Sequence, residues 1–304
     1  MYTIKQAASR TGVPVELLRA WERRYGIVSP ERTAGGYRLY DEAALDRIRA
    51  MRRLVGEGWA PSVAAAAVLR GDVPAGSEAG ASTEPANEPT PADASELIEA
   101  FVAAAAALDA QGIEAALDRM LAAGSFELVA DRLLLPALVA LGQAWADRRL
   151  GVAEEHAASH AMLRRLAAAF QAAGRPISTS GAVVVGLPPG CRHELAALAF
   201  SVAARRAGLP VLYLGPDLPV EDWAAAVRNV SARAAVIGAP TDGDVGRAAQ
   251  VATAIREAAP GIVVAFGGRA ATAAAGADGP DALVLPDGLG LAVDRLSDAL
   301  ERRA

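Results

Sequence analysis

The stretch Ala182-Val183-Val184-Val185-Gly186-Leu187-Pro188-Pro189-Gly190-Cys191-Arg192-His193 is where the hydrophobic pattern of this chain changes period. A short apolar run closed by Pro-Pro-Gly reads as a fully buried strand running into a loop. Four more such runs follow, at residues 211–214, 234–237, 262–266 and 282–285. Helical stretches begin between and after them, near His193, Val220, Val245, Ala270 and Leu289. Five strands alternating with five helices predict an α/β domain over 180–304, a parallel sheet covered on both faces. In such folds ligands sit beyond the carboxyl ends of the strands, where strand order reverses. With a flavodoxin-like (Rossmann-type) order, that point lies between the first and third strands, at the loops 188–193 and 239–243.

Upstream of 182 the period is helical. Leu97, Phe101, Leu108, Ile113, Leu117, Leu121, Phe126, Leu133, Leu134, Leu138, Leu141 and Trp145 recur at i, i+3 and i+4 spacing. Gly112, Gly124 and Gly151 punctuate this region into four segments, predicting a four-helix bundle over 95–175. Residues 71–94 are rich in Pro, Gly, Ser, Thr and Glu and nearly free of large apolar side chains. They cannot bury enough surface to offset their ordering entropy and read as a flexible linker.

Residues 1–70 have a different charge. They hold 12 Lys/Arg against 7 Asp/Glu, whereas the remainder holds 18 against 28, so the net −5 conceals a basic head on an acidic body. All but one of the basic residues are Arg, which suits bidentate phosphate and guanine contacts. Residues 2–12 and 14–26 read as two short helices joined at Thr11-Gly12-Val13. The second carries Arg19, Trp21, Glu22, Arg23, Arg24 and Tyr25, a mix suited to a major groove. Residues 30–40 follow, with Gly35-Gly36 as the turn of a hairpin wing that would set Arg32, Tyr37, Arg38 and Tyr40 against phosphates. Asp41 then caps a third helix starting at about Glu42. The competing reading is a merely solvated basic face. The order helix-turn-helix, wing, helix favours a DNA-binding domain at 1–70.

No window reaches the roughly 18 consecutive apolar residues of a spanning helix, and the N-terminus lacks a secretion pattern. The single cysteine, Cys191, fits a reducing compartment. These features predict a soluble cytoplasmic protein.

The head resembles the MerR family of regulators. The likeness rests on Thr3-Ile4, Ala7-Ala8, Leu18-Arg19-Ala20-Trp21-Glu22-Arg23-Arg24-Tyr25-Gly26 and Gly36-Tyr37-Arg38-Leu39-Tyr40. It implies dimeric or higher-order binding to double-stranded operator DNA of inverted symmetry, with an effector module downstream. A lone cysteine argues against a thiolate metal sensor.

Trp145, nine further residues and then Glu155-His156 span the turn between the third and fourth bundle helices. This would set an indole, a carboxylate and an imidazole at one end of the bundle. A bundle followed by a flavodoxin-like domain resembles the cobalamin-binding module of methionine synthase. The Trp–nine–Glu-His spacing resembles the light-sensing CarH/LitR branch of the MerR regulators. The resemblance implies that adenosylcobalamin is the chromophore and that the bundle covers its adenosyl group. It implies that Trp145 packs against the upper axial group, that Glu155 hydrogen-bonds the adenosyl ribose or base, and that His156 lies close by. It makes His193 the lower axial cobalt ligand, and Gly267-Gly268 the pair that lets the cofactor tail approach the backbone. It implies a repressor rather than an enzyme, one whose self-association, dimer to tetramer, responds to light. No substrate-binding barrel accompanies these parts.

The sequence also departs from the family pattern. Asp/Glu-X-His-X-X-Gly reads here as Cys191-Arg192-His193-Glu194-Leu195-Ala196, and Ala146 stands where some relatives carry a second cobalt-binding histidine. After the third strand, Gly238-Ala239-Pro240-Thr241 replaces a Ser-rich segment. A bilin, haem or other tetrapyrrole, or no cobalamin at all, is the alternative. Cys191, beside Arg192 and near a helix N-terminus, is expected to have a lowered pKa and to offer a metal ligand or a bilin attachment point.

Overall fold

Apolar runs of β-branched residues and alanine-rich helical stretches sort this chain into elements as their periods predict. The computed structural model describes residues 2–11, 13, 18–19, 21–22, 25–28, 30–32, 38–56, 61–70, 89–174, 181–279 and 281–303. They belong to two compact units, Met1–Ser82 and Thr83–Ala304.

In the first unit, β1 (Tyr2–Thr3), α1 (Ile4–Thr11), β2 (Glu31–Arg32), β3 (Arg38–Tyr40), α2 (Glu42–Gly56) and α3 (Pro61–Arg70) follow in order. The three strands form an antiparallel sheet in the order β1-β3-β2. Asp41 caps α2 through its Oδ1, which accepts the Ala44 N–H at 2.7 Å. Most of the expected linker, 71–88, lies outside the described residues.

The second unit opens earlier than expected. Helix α4 (Pro91–Ala106) begins within the segment read as linker. Thr90 and Asp93 exchange side-chain and backbone bonds in a capping box, with Pro91 in the first turn, where its missing N–H costs nothing. Helices α5 (Ala110–Leu121), α6 (Phe126–Ala146) and α7 (Val152–Ala172) follow and pack on one another and on α4. The first break falls at Leu108, with φ of 49°, and Asp109, which caps α5 by accepting the Gly112 N–H. Gly112, expected as the break, therefore lies inside α5. Within α6 a π-helical turn spans Ala130–Leu134, where the Leu135 N–H reaches back to the Ala130 carbonyl. Pro136, which offers no N–H, follows immediately, and a lengthened turn is how a helix absorbs such a gap.

Strands β4 (Val183–Gly186), β5 (Val211–Gly215), β6 (Ala234–Gly238), β7 (Val263–Gly267) and β8 (Leu283–Val284) form a parallel sheet in the order β5-β4-β6-β7-β8. They alternate with α8 (Leu195–Arg206), α9 (Val220–Asn229), α10 (Val245–Ala258), α11 (Ala271–Asp278) and α12 (Leu289–Glu301). Strand order reverses at β4, between β5 and β6, which opens a crevice at the β4–β6 carboxyl ends. Successive strand residues face opposite sides. Val183, Val185, Val236, Val263 and Ala265 join α8, α12 and the whole bundle in one core. Val184, Ala235, Ile237, Val264 and Phe266 join α9, α10 and α11 in another. Bundle and sheet are thus one packed unit rather than two separate domains.

Among the described residues, α6 alone is long and apolar enough to cross a membrane by length and composition. Its inner face, including Val129, Leu133, Leu134, Ala137 and Leu141, is bundle core. Its outer face carries an apolar strip in which Val139 is 73% exposed. That face mixes apolar Leu135, Pro136, Val139 and Ala140 with Asp131, Arg132 and Gln143.

Candidate functional site

That outer face looks onto the crevice. A cavity of about 160 Å³ opens between the sheet's carboxyl edge, α8, α12 and α6. His193, Leu187, Phe200, Gly267, Gly268 and Leu289 are among its walls. Leu135 of α6, with Asp287 and Gly288, lines both this cavity and a more open cleft. The cleft continues past Arg132, Pro136, Val139, Ala140 and Gln143. The arrangement is a deep apolar slot with an imidazole at its mouth, under a broad shelf of helix.

The two glycines of the slot do different things. A Cβ on Gly267 would meet nothing nearer than Leu285 Cδ1 at 3.9 Å and would occupy cavity space. Gly268 has φ of +102°, and a Cβ there would come within 2.8 Å of the Ala239 carbonyl oxygen. That approach lets the turns after β6 and β7 zip together, with Ala239 N–H on Gly267 O and Ala270 N–H on Ala239 O.

His193 is exposed at the end of the loop after β4, on the cavity wall. Among the described residues, no group of three or more His, Cys, Asp or Glu is arranged to hold a metal ion. A corrin needs no such group, because its ring supplies the equatorial nitrogens and a single imidazole from the protein would suffice. The apolar slot, its open Gly267 wall and the single imidazole fit that cofactor. His193 would hold the metal, and the walls of the slot would hold the tail.

The expectation for Cys191 is corrected. Its side chain is buried, at 2% exposure, and its pKa is pushed up to about 11. Burial is the main cause, and the nearby Asp244 carboxylate adds to it. A protonated, enclosed thiol is neither a ready nucleophile nor a ready ligand, so it does not favour bilin attachment. Burial alone would raise the Asp244 carboxyl too. Hydrogen bonds from Thr241 and an ion pair with Arg247 at 2.7 Å instead hold it below the usual carboxylate range.

At the C-terminal end of α6, Trp145 sits in the last turn and is 53% exposed, so it is not a core residue. Glu155 lies in the first turn of α7, and His156 follows it. Glu155 accepts the Ser159 hydroxyl, and His156 Nε2 lies 3.7 Å from its other oxygen. The His156 and His160 rings meet edge-on at 5.8 Å. Neither cavity is lined by Trp145, Glu155 or His156.

Sequence reasoning missed the residues that join bundle to sheet. Asp131, on the π turn, accepts the Leu289 N–H with both oxygens, at 2.9 and 3.0 Å, and so caps α12 from the bundle. Arg206 pairs with Glu127 at 2.7 Å, and Arg205 lies over the Phe170 ring, 3.5 Å from its centroid. All three partnerships cross long stretches of chain, so no local pattern announces them.

In the head, the expected DNA contacts divide. Arg23, Arg24 and Tyr37 lie outside the described residues, as does the side chain of Arg32. Arg19 is exposed on helical backbone. Trp21 and Tyr40, read as groove and phosphate contacts, are instead core, at 4% and 0% exposure. Leu18, Trp21 and Tyr25 are spaced three and four apart, so they share the face opposite Arg19, and Tyr25 is half-buried on that core. Tyr40 donates its hydroxyl to Glu22 at 3.1 Å, and burial, with Glu22, pushes its pKa up to about 12. Arg38 binds the same carboxylate at 2.9 Å and keeps 35% side-chain exposure. Glu22 is thus the peg between this helical segment and the wing strand.

Comparison with known proteins supports both halves. Residues 2–68 match the MerR HTH family regulatory protein family, and residues 97–169 match the B12 binding domain family. The chain is 34% identical over 275 residues to the HTH-type transcriptional repressor CarH of Myxococcus xanthus, covering 89% of each chain. This chain belongs to the CarH-type family of MerR transcriptional regulators. A second family relative, the repressor CarA of the same organism, is 33% identical over 71% of this chain and 68% of its own. The fold of a monomethylamine corrinoid protein from Methanosarcina barkeri covers 68% of this chain and 99% of that one, with a TM-score of 0.50 and 15% identity. The family's members are regulators and not enzymes.

Proposed function

We propose that this chain is a light-responsive, DNA-binding repressor that holds adenosylcobalamin between its bundle and its sheet. The observation that carries the reading is the apolar slot lined by His193 and by Leu135 of α6, within a unit that matches a B12-binding family. When bound, the cofactor supplies a cobalt–carbon bond that visible light breaks. His193 would hold the cobalt, and Gly267 and Gly268 would leave the tail its path. The exposed indole of Trp145, with Glu155 and His156, would cover the adenosyl group. Without that group the bundle would lose the apolar contact that Trp145 makes with it. A ligand shifts an assembly only by binding its two states differently, and this difference supplies the bias. The assembled state, dimer to tetramer, engages operator DNA through several heads at once, so its loss costs avidity.

The test is to titrate the purified protein with adenosylcobalamin in darkness and to measure mass and binding to duplex DNA before and after green light. Uptake, a larger dark mass and a light-induced fall in both mass and DNA affinity are expected. No uptake, or a mass and affinity indifferent to light, would end the proposal. His193→Ala should sharply weaken uptake.

A further inference from the structure

The family pattern places a carboxylate two residues before the histidine, and this chain has a buried Cys191 there. The geometry points to Asp217 as the residue that takes over, positioning the His193 loop from the neighbouring strand connection. The inference rests on the cobalamin reading above and adds a residue to it.

Asp217 lies in the connection between β5 and α9. Its Oδ1 accepts the Gly190 N–H at 2.6 Å, and its own N–H donates to the Cys191 carbonyl at 2.9 Å. It therefore grips the peptides on both sides of the Gly190–Cys191 link, two residues from the imidazole. Its other oxygen lies 4.0 Å from the Arg192 guanidinium. Flanking backbone bonds tie the same two connections together, Leu187 N–H to Gly215 O at 3.0 Å and Leu218 N–H to Leu187 O at 3.1 Å. The loop before His193 is thereby anchored along its length to the loop after β5.

The backbone of Asp217 supports a purpose beyond packing. Its φ is +55°, a left-handed conformation that few non-glycine residues adopt and that Asp and Asn tolerate best. A glycine would hold the same turn without strain. What the aspartate adds over a glycine at this turn is the carboxylate that accepts the Gly190 N–H. On the opposite flank, the Arg247 guanidinium lies 3.5 Å from where a Gly190 Cβ would stand, and Asp244 holds Arg247. The loop is thus braced from β5 by a direct grip and from β6 by a wall. Residues that orient an axial imidazole typically change metal affinity by about 10- to 100-fold when removed.

Three variants of the full chain separate positioning from stability. Asp217→Asn keeps an oxygen acceptor and tolerates the left-handed turn. Asp217→Gly loses the acceptor but relieves the strain. Asp217→Ala loses the acceptor and keeps the strain. Each is loaded with cob(II)alamin after histidine labelling with nitrogen-15, and spin resonance reports the axial nitrogen. Imidazole coordination gives a doublet from the labelled nitrogen, and the cofactor's own benzimidazole gives a triplet. The unsubstituted protein and Asp217→Asn should show the doublet. Asp217→Gly and Asp217→Ala should lose it alike and bind the cofactor at least tenfold more weakly, although only the alanine variant melts lower. In the cofactor-free protein, the Gly190 amide should exchange faster in the glycine variant than in the asparagine variant. A doublet and an affinity unchanged in Asp217→Gly would overturn the inference while leaving the cobalamin reading intact. Failure of the unsubstituted protein to take up cobalamin would overturn both.

Discussion

Replacing Asp131 by alanine should unclasp the bundle from the sheet. Helix α12 has Gly288 at its N-cap, with φ of 90° and no side chain to offer, so its first N–H groups depend on a partner from elsewhere. Asp131 is that partner, with both oxygens on the Leu289 N–H. Loss of an N-capping oxygen costs about 1 kcal/mol. Loss of an anion at the positive end of a helix adds roughly 0.3–1 kcal/mol. Together these give about 1.5–2 kcal/mol. A unit of this size loses about 2–4 °C in Tm per kcal/mol, so Asp131→Ala should melt about 3–8 °C lower. Asp131→Asn keeps an acceptor and loses only the charge, so its shift should be roughly a third of that. The assay is thermal unfolding of the cofactor-free full chain by circular dichroism, with hydrogen exchange at the Leu289 amide. An alanine variant that melts within 1 °C of the parent, with that amide still protected, would refute the reasoning.

Gly267→Ala should leave stability within about 0.5 kcal/mol and weaken cobalamin uptake, because its methyl enters open cavity. Gly268→Ala should instead cost about 1–3 kcal/mol from backbone strain alone, measured by denaturant unfolding; equal effects at the two sites would contradict the geometry. Glu22→Gln should destabilise the head by about 1 kcal/mol and free the Arg38 charge. The salt dependence of binding to an arbitrary duplex should then steepen by roughly one ion, and an unchanged slope would show that Arg38 does not face the backbone. Glu114 is held below its ordinary value of 4.5, chiefly by a hydrogen bond from Arg164, with Arg165 adding to it. A carboxylate depressed on folding contributes stability that is full above its unfolded pKa and is lost as pH falls through its folded one. Acid unfolding of the bundle should therefore show a component below pH 4.5 that Glu114→Gln removes.

The order of elements was legible in the sequence because periodicity is local. Runs such as 182–187 and 262–266 have the length and composition of buried strands, and each strand core falls within the run that announced it. The cap at Asp41 and the crevice loop bearing His193 were legible for the same reason. The Thr90-Pro91-Ala92-Asp93 start of α4 is equally local, a capping box inside a stretch whose composition reads as linker. The spacing of Leu18, Trp21 and Tyr25 likewise carried the information that Trp21 points inward, but basic neighbours drew it into the expected DNA face.

What the chain alone does not reveal is which distant groups meet. Whether Cys191 is an activated or a silent thiol depends on burial and on a carboxylate 53 residues away in the sequence. Asp131 on α12 and Asp217 on Gly190 are pairings across 158 and 27 residues. The sequence determined the periods, the strands and helices they make and the imidazole at the switch point, because those follow from neighbours along the chain. Only the tertiary structure decided which carboxylates hold the loop, which helix face is left for a ligand and how the bundle grips the sheet. Those depend on burial and on hydrogen-bond partners brought together by packing.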